Sequence, residues 1–167
     1  MALKPDRVEH LTDISFYKND AVAERGVVVA HSTGGSGAAM DDSLAQVRDY
    51  AAYKDEPAGL LMNDVVNIDL TRQKYNQHQD EVQLGSKVTL LRIGTVVTNQ
   101  YSGTPVVGER AFVGLDGKLQ TESQYLGPKT GPWAGGSGVS LPSGTAVGRF
   151  LGVANSDGYV KVAINIV

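Results

Sequence analysis

The chain has 167 residues, of which 41% are apolar and 20% are charged, and its formal net charge is −3. A chain of this length forms one domain, and this composition is typical of a soluble globular protein rather than of a disordered one. The basic residues are scattered, cysteine is absent, and no stretch approaches about 18 consecutive apolar residues. These features argue against a nucleic-acid-binding patch, disulfides and a membrane-spanning helix.

The N-terminal half predicts extended segments. Residues 1–20 alternate weakly between apolar and charged side chains and contain no glycine, so they are interpreted as an extended N-terminal arm. The β-branched run at 26–30 predicts a short strand, and the small polar residues at 31–37 predict a loop. Residues 41–54 fit helical spacing and strand spacing almost equally; they are interpreted as a short helix or an irregular segment.

The middle of the chain predicts further strands. Residues 59–67 and 86–93 have strand composition, and residues 94–99 resume it before a turn marked by glycine and proline at 103–108. The polar stretch at 69–83 is compatible with a polar helix or with a long loop.

The clearest local signal is a hairpin. Apolar residues 111–115 and residues 118–121 flank Asp116-Gly117, a pair that supplies the positive φ of a tight β-turn. Residues 127–144 are rich in glycine, proline and serine and predict a long surface loop, a length that favours a binding role. Residues 147–153 and 159–167 predict two last strands, and in the second the residues from Val160 to Ile166 alternate between an apolar and a polar face.

Twenty glycines, well above the usual share of about 7%, indicate many tight turns between short strands. The predicted fold class is therefore all-β: an antiparallel β-sandwich or a β-tulip or barrel body, with an extended N-terminal arm and long Gly/Pro-rich loops. The body at 21–167 is expected either as one domain or as two small β subdomains that divide near residue 100.

No motif in the sequence predicts catalysis, a cofactor or a metal. His10, His31 and His78 lie far apart and show no metal-binding spacing. The glycine-serine segments around Ser36 and Ser137 have neither the following lysine of a phosphate-binding loop nor the second flanking glycine of a nucleophile elbow. We therefore expect a protein that is not an enzyme, with no catalytic residues, no cofactor site and no metal site.

Several segments together resemble the small decoration, or cement, proteins of tailed-bacteriophage capsids. The likeness is carried by GERAFVGLDGKLQT and VGRFLGVANSDGYVKVAINIV in the C-terminal half, and by MALKPDRVEHLTDISF, GLLMNDVVNIDLTR and GSKVTLLRIGTVVTN before them. The resemblance implies a non-enzymatic virion structural protein on the capsid exterior, made in the host cytoplasm. It also implies the major capsid protein and further copies of the chain as partners, most often in a trimer, with no nucleic acid or membrane bound.

Such a protein stabilises the expanded, DNA-filled head if it binds the expanded lattice and not its precursor. An extended arm could add a strand to a sheet edge of a shell subunit. Within the arm, Arg7, His10, Phe16 and Tyr17 are the predicted capsid contacts, because mixed apolar and charged groups suit a groove with a polar rim. We expect removal of residues 1–20 to abolish attachment and to leave the body folded.

The single tryptophan, Trp133, lies in the predicted long loop and is either an exposed contact aromatic or a residue that packs onto its own sheet. It is the fifth predicted capsid contact. An alternative function is a carbohydrate- or cell-surface-binding β-sandwich module of a phage fibre, although the 7% aromatic content is low for a sugar platform. A small metal enzyme built on the histidines is a third, less favoured interpretation.

Overall fold

The computed structural model describes residues 3–19, 23–32, 46–49, 55–64, 81–82, 84–85, 87–114, 116–126 and 146–167. The strands in these ranges are β1 (Leu3–Lys18), β2 (Ala23–Glu24), β3 (Val28–His31), β4 (Gln46–Asp49), β5 (Pro57–Asp64), β6 (Glu81–Val82), β7 (Lys87–Thr98), β8 (Tyr101–Ser102), β9 (Arg110–Val113), β10 (Leu119–Thr121), β11 (Ala146–Phe150) and β12 (Val160–Asn165). One short helix, α1, spans Glu122–Leu126.

Ten of these strands form one large sheet, and five of the ten close a circuit of backbone pairing. β1 pairs with β4, β4 with β3, β3 with β5, β5 with β7, and β7 returns to β1. From β7 the sheet continues through β12, β11, β9, β10 and β8. Among the described strands the pairings in this sheet are antiparallel except for β1 with β4 and β8 with β10. The all-β prediction is confirmed.

β7 joins the two parts of the sheet. Its residues 88–91 pair with β5 and its residues 93–98 pair with β12, while β1 follows the opposite edge of β7 from end to end. The sequence predicted strands on either side of Gly94; the structure shows one continuous strand. β1 passes close to Gly94, since a Cβ at this position would overlap the carbonyl oxygen of Val8.

Two apolar clusters form the core, and β3 lies between them. Val28 and Ala30 belong to the larger cluster together with Phe150, whereas Val29 belongs to the smaller cluster with Leu90. Successive side chains of a strand point to opposite faces, so a strand that is buried on both sides needs a continuous apolar run. This explains why residues 27–30 are apolar without interruption.

The C-terminal strand has the alternation that the sequence predicted. Val160, Val162 and Ile164 are at most 2% exposed and belong to the larger cluster. Lys161 and Ala163 alternate with them and are partly exposed on the other face. The period of two therefore identifies the inner and the outer face of this part of the sheet.

The predicted hairpin is present. β9 and β10 pair antiparallel, the Gly114 amide donates a hydrogen bond to the Lys118 carbonyl at 2.9 Å, and Gly117 has φ of 75°. The Val28 amide also donates to the Gly117 carbonyl at 2.7 Å, so the turn is anchored to β3. Its positive φ is the reason that glycine is needed at the second turn position.

The interpretation of residues 41–54 as a short helix or an irregular segment is wrong where the structure describes it. Residues 46–49 form β4, which pairs with β3 and, at its start, with β1. Val47 is fully buried in the smaller cluster between partly exposed neighbours. The strand is the more stable conformation because neighbouring strands on both sides form hydrogen bonds with its backbone N–H and C=O groups. The spacing of apolar residues in the sequence does not report this contribution.

A short helix follows β10 where the sequence predicted none. α1 begins after Thr121, whose Oγ1 accepts a hydrogen bond from the Gln124 amide at 3.3 Å, as a threonine N-cap does. Of the polar stretch at 69–83 the structure describes only β6, and the predicted loop at 127–144 lies outside the described residues. Within the described ranges, no helix is long and apolar enough to cross a membrane.

Residues 3–18, the greater part of the predicted arm, lie along β7 as β1. Leu3 belongs to the larger apolar cluster and Phe16 to the smaller one, each 8% exposed, and Lys18 is fully buried. Removal of residues 1–20 takes these side chains out of both cores, so we now expect it to destabilise the body, in contrast to the expectation from the sequence. The domain boundaries themselves stay predictions.

Candidate functional site

The first candidate surface is the outer side of β1. Val8, Leu11 and Ile14 are 47%, 47% and 50% exposed, although strand residues of this size are usually covered. In the described part of the chain, β4 covers the far edge of β1 only at Tyr17 and Lys18. With respect to the described strands, the rest of that edge presents backbone groups and apolar side chains together, as strands that accept a partner strand do.

β1 is irregular, and its irregularity has a visible local cause. Its register against β7 shifts at four places, one of them between Asp13 and Phe16. At that shift the Asp13 carboxylate accepts a hydrogen bond from the Ser15 amide at 2.8 Å. Local side-chain bonds of this kind compete with ladder pairing, and bulges are common at sheet edges. The bulges increase local twist, which limits indiscriminate strand pairing.

The predicted contact residues of β1 fall into two groups. Arg7 and His10 are exposed, and the Arg7 Nε lies 2.6 Å from the Glu9 carboxylate. Phe16 is buried and its ring centroid lies 5.5 Å from that of His31, while Tyr17 is half-buried opposite Gln46 of β4. A contact role for Phe16 would require β1 to leave β7. Trp133 lies outside the described residues.

His31 lies beside this strand, on β3. Partial burial of this otherwise exposed residue lowers its pKa below the ordinary value of 6.5, and the Arg92 guanidinium lowers it further, against the opposing effect of the Glu56 and Asp13 carboxylates. The neutral imidazole is therefore favoured in the folded chain. Among the described residues, no three histidine, aspartate or glutamate side chains come together in a group that could hold a metal ion.

One continuous row of residues crosses the outer face of the sheet and ends at β1. Val8 pairs with Thr95 of β7, Thr95 with Ala163 of β12, Ala163 with Arg149 of β11, and Arg149 with Arg110 of β9. Directly opposed residues in antiparallel strands share a face. The exposed apolar edge of β1 and the two arginines therefore lie at opposite ends of one surface.

A charge pair on the outer face spans β7. The Lys161 ammonium of β12 lies 3.3 Å from the carboxylate of Asp6 on β1. Both side chains are well exposed, at 42% and 72%, so this pair contributes little to stability. It does show that β1 and β12 present side chains to the same side of the sheet.

The sequence pattern indicates the weak alternation of Val8, Leu11 and Ile14, but it does not indicate that two arginines lie opposite each other. Arg110 and Arg149 are far apart in the chain, and neither belongs to a basic cluster in the sequence. The pairing of β9 with β11 brings them opposite each other. No sequence signal short of the strand register could have found them.

Comparison with known proteins gives a likeness of fold. No protein-family profile matches the chain, and no curated protein matches it. Among solved structures, the fold is similar to that of the N base of the head fiber gp8.5 of bacteriophage phi29, with a TM-score of 0.50. The similarity covers 95% of this chain and 94% of that one, at 13% sequence identity. At this identity the two chains share a fold.

Proposed function

We propose that this chain is a structural protein of a bacteriophage virion that binds the outside of the expanded capsid. There it bridges neighbouring major capsid subunits and so stabilises the DNA-filled head. The observation that carries the proposal is the likeness of fold to the base of a phage head fiber, because it extends over nearly the whole of both chains. The segments that resemble capsid decoration proteins support the same assignment independently of the fold.

The outer side of β1 is the surface that suits this role best. Leu11 and Ile14 expose apolar area on a strand whose far edge pairs with a described strand only at Tyr17 and Lys18. Burial of such area contributes about 25 cal/mol per Å², and added backbone hydrogen bonds would fix the orientation of the two chains. Exposed Arg7 and His10 would lie at the polar rim of the contact.

Stabilisation of the head follows from differential affinity. A protein that binds the expanded lattice more tightly than the precursor shifts the equilibrium between them by the ratio of the two affinities, and it needs no catalysis. Many copies on one shell, and association of the chain with itself as a trimer, would add avidity without new types of contact.

The test is co-sedimentation of the purified protein with undecorated expanded capsids and with unexpanded procapsids, measured as copies bound per shell. We expect saturable binding to the expanded form, at a copy number that matches a set of lattice sites. Binding to neither form by the folded protein would overturn the proposal and would favour glycan binding as the next function to test.

Two matched variants locate the contact surface. Leu11→Glu places a charge in the exposed apolar surface of β1, and we expect it to weaken capsid binding at least tenfold, since an unpaired charge is costly in an apolar contact. Val107→Glu is the control: Val107 is 63% exposed and precedes β9, which is separated from β1 by β7, β12 and β11. Equal loss in both variants would show that the contact does not involve β1.

A further inference from the structure

Two arginines stand directly opposite each other on the outer face. Arg110 of β9 and Arg149 of β11 are cross-strand partners, and both side chains are exposed. We call them the arginine pair. The Arg149 Nη1 donates a hydrogen bond to the Gly108 carbonyl at 2.9 Å, which holds one guanidinium in place. Like charges opposite each other in a sheet destabilise it, so this arrangement carries a cost in the isolated chain.

Within the described part of the chain, nothing neutralises the arginine pair. Neither guanidinium forms an ion pair there, whereas Lys118 and Lys161 each lie beside a carboxylate. The adjacent acid, Glu109, accepts hydrogen bonds from backbone amides at 106 and 123. Residues 127–145, which lead into β11, contain no acidic residue. Among the described residues the positive charge is therefore local, on a chain whose net charge is −3.

The arginine pair lines an open cleft of about 350 Å³. The rest of its lining is small or apolar, with one side-chain amide: Ala146, Gly148, Leu151, Ala163 and Asn165. A guanidinium above an apolar floor is less well hydrated than one on a flat polar surface, which strengthens a charge-assisted hydrogen bond to an incoming anion. The volume is within the range of pockets that hold a small group.

We propose that this cleft binds the carboxylates of an acidic peptide segment of a protein partner. The planar fork of each guanidinium matches a carboxylate in a bidentate geometry, and Asn165 adds an amide donor. Nucleic acid fits less well, because in the described residues the pair is not continued by a basic track along the sheet and the nearby Lys161 lies beside Asp6. The inference goes beyond the proposed capsid role, since it concerns the ligand chemistry of a second site.

The experiment uses the isolated full chain, labelled with ¹⁵N, and an end-capped hexaglutamate peptide as the probe. We expect the arginine side-chain Nε–Hε signals of Arg110 and Arg149 to shift together and to saturate. Added salt should weaken the binding because both partners are exposed to solvent. Inorganic phosphate at the same ionic strength is the second probe, which distinguishes a peptide carboxylate site from a general anion site.

A double variant and a charge-matched control test the assignment. Arg110→Gln with Arg149→Gln should weaken peptide binding at least tenfold, whereas Arg7→Gln with Lys118→Gln removes the same charge elsewhere and should change it less than twofold. If loss of the Gly108 contact perturbs folding, Arg110→Gln alone serves as the test, since that contact is made by the guanidinium of Arg149 and not by that of Arg110.

Three outcomes would overturn the inference. They are the failure of the two arginine signals to saturate, equal weakening in the control variant, and a response to phosphate without a response to the peptide. None of these depends on capsids, so a failure here is distinct from a failure of the proposed function.

Discussion

Gly94→Ala tests a close approach between β1 and β7. At Gly94 the carbonyl oxygen of Val8 occupies the space that a Cβ would need, and the Leu91 Cδ1 lies 3.0 Å from that same position. The leucine side chain can move, but the Val8 oxygen belongs to the backbone of β1. One added methyl group therefore forces β1 away from β7, or forces the central strand to shift within the sheet.

The expected loss of stability follows from this geometry. Insertion of a methyl group where the backbone must move typically costs about 1–3 kcal/mol. In a chain of this size a loss of 1 kcal/mol lowers the Tm by about 2–4 °C, so Gly94→Ala should lower it by roughly 2–12 °C. Urea unfolding followed by circular dichroism measures the free-energy difference, and hydrogen exchange of the β1 amides shows whether the loss is local to β1.

Gly152→Ala is the matched control. A Cβ at Gly152 meets nothing within 4 Å, and its φ lies outside the range that disfavours side chains. We expect its stability to be unchanged or slightly raised, because alanine restricts the unfolded chain. A Gly94→Ala protein within about 0.5 kcal/mol of this control would refute the packing of β1 on β7 and would favour a free N-terminal arm instead.

Three further perturbations have defined outcomes. Phe150→Ala removes a fully buried ring from the larger apolar cluster and should cost about 3–5 kcal/mol in urea unfolding; a loss below 1 kcal/mol would show that the cluster is not packed as described. Stability should fall slightly as the pH drops below about 6.5, because the unfolded chain then binds a proton that the lowered pKa of His31 excludes from the folded chain. His31→Gln should flatten this part of the pH profile; an unchanged profile would contradict the lowered pKa of this partly exposed imidazole. Gly117→Ala should lower the Tm, since φ of 75° and the nearby Val28 carbonyl both oppose a side chain, and a neutral result would place the turn elsewhere.

The features that could be predicted are those whose cause lies within a few residues. Asp116-Gly117 specifies its turn through the conformational freedom of glycine, so the hairpin of β9 and β10 follows from local chemistry. The alternation from Val160 to Ile166 likewise records which face of β12 is buried. Neither feature requires knowledge of the partner strand.

The features that could not be predicted depend on which strands meet. The apolar spacing around Val47 fits a helix and a strand, and only β3 and β1 on either side make the strand the stable choice. Phe16 was predicted as a contact residue because a segment of mixed apolar and charged groups suits a groove with a polar rim, yet its ring packs in the smaller cluster. In each case the deciding interaction joins residues that are distant in the chain.

The sequence by itself determined the all-β class, the main turns and the inner face of β12, because glycine geometry and the two-residue period of a strand act locally. The tertiary structure decided that residues 3–18 lie along β7 and that Val8, Leu11 and Ile14 stay exposed. It also decided that Arg110 of β9 lies directly opposite Arg149 of the adjacent strand β11. Strand order and register arise from burial and backbone pairing between distant segments, and these long-range terms place the surfaces on which both proposals rest.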